Sequence, residues 1–171
     1  MQPEQALFLR DFMLGALKRE HPITRGVIEA VPVDQGHFRP DTVVKSADDL
    51  AWHIVGAEHR FMAAVTNGAF DFTPSPRPEA IRNSRDIARW YADVFAQDVD
   101  RVAALPVDAL LTIVDFRGLF QRPAVTFLDT SLHHVIHHRG QLSMYLRPMG
   151  AKVPAIYGES YDSALAKSGA R

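Results

Sequence analysis

The chain contains no cysteine. That single absence excludes disulfides, thiolate metal ligands and a cysteine nucleophile, so any metal would be held by imidazole, carboxylate or water. A surplus of either charge is missing too: 19 Lys and Arg stand against 20 Asp and Glu, for a formal net charge of −1. No block of like charges marks a nucleic-acid, polyanion or membrane surface. No run approaches the roughly 18 apolar residues of a spanning helix, and the first residues lack the basic-then-apolar pattern of a secretory leader. The expectation is a cytoplasmic protein with neither nucleic acid nor membrane as partner. There is no internal repeat and no low-complexity segment.

What is present is ordinary in amount. With 171 residues, 47% hydrophobic and 23% charged, the composition is that of a soluble globular protein. One domain over residues 1–171 is large enough for a substantial core. Four stretches carry helical periodicity. Residues 4–20 form the first, with Leu7, Phe8, Phe12, Met13, Leu14 and Leu17 recurring among charges. Pro22 should stop or kink it, with a continuation from Thr24 to Val31. The second begins after Ser46, a serviceable N-cap, and closes at Asn67-Gly68. Residues 69–82 hold Pro74, Pro76 and Pro78 and read as loop. The third helix follows Ser84 as N-cap and runs to about Leu105. Leu110 to Phe120 alternates like a strand, so a short extended or hairpin segment is expected. Pro123 suits the first turn of the fourth helix, which reaches about Arg147; a short last helix is expected from Ser160. The predicted fold is all-α, a four-helix bundle with a short extended segment before the fourth helix.

The fourth helix is unusual in its chemistry. Four of the eight histidines lie within six residues, at His133, His134, His137 and His138. On a helix, His133/His137 and His134/His138 are i,i+4 pairs, each stacked on one face at a spacing from which two imidazoles can share an ion. The His-x-x-x-His pair of zinc proteases uses the same geometry, but here no Glu follows the first His to act as base. Helical phase at about 100° per residue groups His134 with His138, Gln141 and Tyr145 on the packed face, and turns His133 and His137 to the other side. On the second helix His53 falls on the apolar stripe with Leu50, Ala57, Phe61 and Ala64, where an unpartnered imidazole is costly. His59 lies about 120° away and reads as ordinary surface. Ligand sites in bundles are built from inward-facing side chains of neighbouring helices. His53, His134 and His138 meet that description. The competing reading is a cluster of histidines hydrogen-bonded inside the bundle.

The stretch His-His-Val-Ile-His-His-Arg-Gly-Gln-Leu-Ser-Met-Tyr-Leu-Arg from His133 to Arg147, followed by Gly150, Val153-Pro154 and Tyr157-Gly158, resembles the DinB family. So does Leu50-Ala51-Trp52-His53-Ile54-Val55-Gly56-Ala57-Glu58, and the resemblance covers nearly the whole chain. It implies a bundle of the DinB/YfiT type, usually homodimeric and damage- or stress-inducible, with one divalent transition metal (zinc, nickel or iron) on three histidines. By position these are His53, His134 and His138. His137 matches a position that is not always histidine and is read, with Gln141 and Tyr145, as supporting the ligands from outside. Some relatives are thiol-dependent S-transferases, one is a maleylpyruvate isomerase using a small thiol, and many have no established activity.

Three neutral imidazoles on one ion leave at least one position open, as in catalytic sites. Such an ion activates water or a cosubstrate thiol near neutral pH. A chain without cysteine would borrow its thiol, which favours S-transfer to small electrophiles. Metal-dependent hydrolysis is the alternative, but Glu58 lies about 140° from His53 and no carboxylate base stands out. A non-catalytic metal-binding stress protein, whose ion stabilises the bundle or senses metal, is the other. Leu132 and Ile136, one turn apart and away from His134, suggest a dimer contact or packing under the C-terminal tail.

Overall fold

The computed structural model describes residues 1–74 and 76–169; the predicted loop 69–82 therefore includes one position, Ser75, outside the described residues. Four long helices make the frame: α1 (Pro3–Glu29), α2 (Ala47–Asn67), α3 (Ser84–Ala103) and, after a short α4 (Val107–Leu111), α5 (Phe127–Leu146). Strands β1 (Ile113–Phe116) and β2 (Phe120–Pro123) and a 3-10 turn (Ala124–Thr126) precede α5, and α6 (Tyr161–Ser168) ends the described chain. Each long helix packs on two others, in the ring order α1, α3, α2, α5, with the most extensive interface between α2 and α5. One apolar core fills the ring, from Leu17 and Ile28 through Ile54 and Ile87 to Leu142 and Leu146. No helix of the described residues is long and apolar enough to cross a membrane.

The structure departs from the sequence expectation at three joints, at Pro22 only in that the helix does not stop, each for a local reason. Pro22 neither stops α1 nor divides it. A proline inside a helix forfeits one hydrogen bond and costs about 3 kcal/mol, but Met13, Leu14 and Leu17 before it and Val27 and Ile28 after it are buried in the same core. The N-cap of α3 is Asn83, whose side-chain oxygen accepts the Arg85 and Asp86 N–H groups at 3.0 and 3.2 Å. Ser84 sits inside the helix instead, donating its hydroxyl to the Val31 carbonyl at 2.8 Å and tying α3 to the end of α1. Pro123 closes β2 rather than opening the helix, because a proline at a strand end forfeits no ladder bond it needs and pairs there with Ile113.

The hairpin itself is as expected in kind, although Leu110 and Leu111 belong to α4. Its antiparallel register runs from Ile113↔Pro123 to Phe116↔Phe120. Arg117 and Gly118 both turn through positive φ, 57° and 70°, and the Leu119 N–H reaches the Phe116 carbonyl at 3.0 Å. Ser46 caps α2 as expected, accepting from the Asp49 N–H at 3.2 Å, and Gly68 takes the left-handed C-cap at φ 69°. The loop before α2 is clamped on its first turn: Asp48 N–H donates to the Gly36 carbonyl at 2.9 Å, with Gly36 so close to the Asp48 carboxylate that a Cβ would stand 2.1 Å from Oδ2. Leu132 packs against the core and Ile136 is half-buried. The large exposed apolar side chains of α1 are Phe8 and Phe12, which stack on each other.

Arg139 of α5 is buried, at 1% exposure. Its guanidinium donates to Glu20 Oε2 at 2.5 Å and Thr24 Oγ1 at 3.1 Å on α1, and to the Tyr157 hydroxyl at 2.6 Å. That hydroxyl donates in turn to Glu20 at 2.9 Å. The clasp thus joins α1, α5 and the tail. Removing one partner of a buried ion pair costs roughly 3–5 kcal/mol. Glu20 keeps some water, which puts Arg139→Met at the lower end, with a melting temperature about 6–12 °C below the parent. A thermal melt unchanged within a degree or two would show that the clasp does not hold the bundle.

Candidate metal centre

His53 on α2 and His134 and His138 on α5 converge where these helices share their large interface. One ring nitrogen from each lies within 4.8 Å of the others, and the His53 and His138 Nε2 atoms are 3.2 Å apart. Among the described residues no aspartate, glutamate or fourth histidine joins the group. His138 Nδ1 is 2.7 Å from Gln141 Oε1. The amide oxygen can only accept, so Nδ1 carries the proton and Nε2 is left with its lone pair toward His53. Gln141 Nε2 lies 3.2 Å from His137 Nε2, so His137 stands behind Gln141, exposed, and not in the triad. His133 is exposed as well, bonded at Nδ1 to the Asp129 carbonyl at 2.9 Å.

All three histidines of the triad are half-buried. The sequence expectation put His53 at the centre of the apolar stripe of α2; that centre belongs to Ala51, Ile54, Glu58 and Val65, and His53 sits at its edge. On α5 the buried line runs through Leu128, Val135, Arg139 and Leu142, so His134 and His138 are likewise marginal. One wall of the triad is aromatic. Phe61 meets His134 edge-on, at 5.7 Å between centroids, and Phe116 of the hairpin stacks over Phe61. On the open side, the segment 39–45 lies between two clefts. One of about 440 Å³ is bordered by Arg39, Lys45 and His53; the other, of about 470 Å³, by His138, Gln141 and Tyr145. Tyr145, mostly buried, donates to the Lys45 carbonyl at 3.4 Å.

Burial pulls the His53 imidazole down to about 4, helped by the neighbouring His138, Lys45 and Arg60 charges. The same burial, with His138, His53 and His137 around it, pulls His134 down to about 3. Both rings are neutral at neutral pH, the state in which imidazole binds metal. His134 Nδ1 is sealed from solvent and has no hydrogen-bond partner among the described residues. An unsatisfied buried nitrogen, converging lone pairs and a tautomer fixed by Gln141 fit an ion better than a self-satisfied polar cluster.

The model of the DinB family matches residues 8–168. The chain belongs to the DinB family. It is 25% identical over 130 residues to YjoA of Bacillus subtilis, covering 75% of this chain and 82% of that one. The crystal structure of YjoA, a DinB-like protein, superposes with a TM-score of 0.70 at 21% identity, covering 86% of this chain and 99% of that one. A DinB-like protein from Bacillus cereus gives a TM-score of 0.70 at 26% identity, with 85% and 95% covered.

Sequence reasoning missed two features near this DinB triad. The borders of the clefts at Arg39 and Lys45 carry no periodic signal, because they lie in a loop. Arg139 did carry one: it stands four residues after Val135 and three before Leu142, a charge on an apolar stripe.

Glu58 is no base for the triad. It is 2% exposed beside Tyr91, and burial, with the Asp98 charge, pushes its carboxyl up to about 7 from an ordinary 4.5. The folded state therefore holds a proton there that the unfolded chain releases near 4.5, so stability falls as pH rises from about 4.5 to about 7 and levels beyond. Glu58→Gln removes that loss. Urea unfolding should show the variant gaining on the parent across the window, with a constant gap above it; a gap that does not change with pH would show that Glu58 ionises normally.

Proposed function

We propose that this protein is a divalent-metal-dependent S-transferase, joining a low-molecular-weight thiol to a small electrophile. His53, His134 and His138 would hold one zinc, nickel or iron ion. The observation that carries the reading is the convergence of these three imidazoles, without a fourth protein ligand among the described residues, beside two clefts. When bound, a divalent ion with an open position supplies Lewis acidity that lowers the pKa of an incoming thiol or water.

The chain's own residues would do the rest. Gln141 holds the His138 tautomer, and His137 acts only through Gln141. Tyr145 fixes the Lys45 segment over the cleft. Arg39 and Lys45 border the cleft beside His53 with one acid, Asp49, which Arg39 faces at 3.8 Å, and the net positive charge suits a thiol that carries carboxylates. The absence of cysteine makes an external thiol necessary. Hydrolysis is less well supported, since Glu58 is sealed in the interior and Asp49, one turn before His53, is engaged by Ser46 at 2.6 Å and Arg39 at 3.8 Å. The protein is taken to act as a homodimer in the cytoplasm.

The test starts from untagged protein purified without chelator. About one divalent ion per chain is expected, and it should be lost in His53→Ala, His134→Ala and His138→Ala while circular dichroism keeps the helical signal. Gln141→Ala should bind the ion roughly 10–100-fold more weakly. Thiol consumption with an epoxide or aryl halide should require both the ion and the triad. A loaded protein whose thiol consumption equals that of the His138→Ala variant would sink the transferase reading and leave a metal-binding protein.

A further inference from the structure

A third cleft, of about 310 Å³, opens farther round α2, between it, α3 and the segment after α2, and shares Trp52 with the cleft beside His53. It shares no histidine with the triad. On α2 it is bordered by Trp52, Gly56, His59, Arg60 and Ala63, one stripe at helical spacing, about 180° from the core-facing stripe. An outward face normally carries charges; this one has a single charged residue, Arg60, and His59 beside an indole, a glycine and an alanine.

Three observations make it a built site. Trp52 and Trp90, the chain's two tryptophans, meet there with ring centroids 4.7 Å apart at 54°. Between them and His59, Gly56 leaves open space: a Cβ would meet nothing within 4 Å. A glycine inside a helix costs about 0.5–1 kcal/mol relative to alanine, and no packing requires it here.

The third observation is His59, which the sequence suggested was ordinary surface. Its Nδ1 is 2.6 Å from Asp98 Oδ2, a carboxylate only 3% exposed, while the imidazole side chain is 37% exposed. The buried acid accepts from Nδ1 and fixes the ring, so the other nitrogen belongs to the open edge. Arg60, next along the stripe, makes no hydrogen bond or ion pair to protein among the described residues. The carboxylate of Asp71, on the rim, accepts the Thr73 N–H at 2.8 Å and is exposed to solvent.

We propose that this cleft is a second ligand site, for a small planar anion of the aromatic carboxylate class, its ring against Trp52 and Trp90 and its carboxylate on Arg60 and His59. Indole faces favour flat π-systems, guanidinium matches a carboxylate in a fork, and the volume is at the small-ligand end of natural pockets. The site stands independently of the metal reading.

Both tryptophans border the cleft, so intrinsic fluorescence reports a ligand there; because Trp52 also borders the cleft beside His53, the variants assign the signal, with calorimetry as a check. The probes are benzoate, benzamide (planar, neutral) and cyclohexanecarboxylate (anionic, not planar). Benzoate should quench and bind best. Arg60→Gln should weaken benzoate by roughly tenfold or more and leave benzamide unchanged, the value of a charge-assisted contact. Gly56→Leu, which fills the floor of the cleft without touching the core, should abolish binding of all three. His134→Ala should bind benzoate like the parent. The proposal is overturned if benzoate gives neither quenching nor heat up to millimolar concentration, or if folded Gly56→Leu binds it unchanged. Loss in His134→Ala would overturn it too, by assigning the carboxylate to the metal centre.

Discussion

The rotational setting of α5 decides where every group of chemical interest points, and the buried Arg139 sets it. Adjacent residues on a helix are separated by about 100°, so turning Arg139 onto Glu20 and Thr24 of α1 commits His138 to the α2 side. A guanidinium has no low-energy alternative once desolvated: five donors in a rigid fork must find acceptors. Losing either partner of the Arg139–Glu20 ion pair would leave the other buried and uncompensated, and that cost is what ties α5 to α1 in this setting. Tyr157 then ties the tail to the same pair, which explains why two separated stretches of the family-like sequence meet in space.

Given that setting, the triad must satisfy opposed demands. A ligand ring has to be dry enough to stay neutral, yet open enough for a substrate to arrive. His53, His134 and His138 meet both by standing at the edge of the core. Burial on one side, with Phe61 and the hairpin's Phe116 as roof, holds His53 and His134 well below the usual imidazole range. The hairpin before α5 thereby has a use beyond connection. On the opposite side the clefts and the mobile-length side chains of Arg39 and Lys45 give access.

Much of this was legible in the sequence, because helical phase is a strong signal over 20 residues. The pairing of His134 with His138, the separation of His133 and His137, and the selection of His53 follow from periodicity alone. What phase could not supply was the degree of burial. It assigned the centre of the stripe to His53, where Ile54 and Glu58 actually lie. Local punctuation was misread where tertiary packing overrode it, as at Pro22, or where two cap residues stood side by side, as at Asn83-Ser84. The role of His59 was invisible for a different reason: Asp98 is 39 residues away, and no local pattern on α2 announces a carboxylate delivered by α3.

That carboxylate links the interior to the third cleft. Glu58 and Asp98 occupy the same part of the bundle, and the Glu58 carboxyl is raised first by its own burial and to a lesser degree by the Asp98 charge. Asp98, only 3% exposed, finds its partners toward the surface of the bundle: His59 Nδ1 at 2.6 Å and Arg101 at 3.9 Å. A histidine hydrogen-bonded to a buried carboxylate is held in place, and the His59 ring stands edge-on to Trp90, 5.8 Å between centroids, whether or not a ligand is there. Preorganisation of this kind lowers the entropic cost of binding. The polar interior therefore serves the outward face of α2, while the triad on its flank depends on the apolar interior and on Arg139.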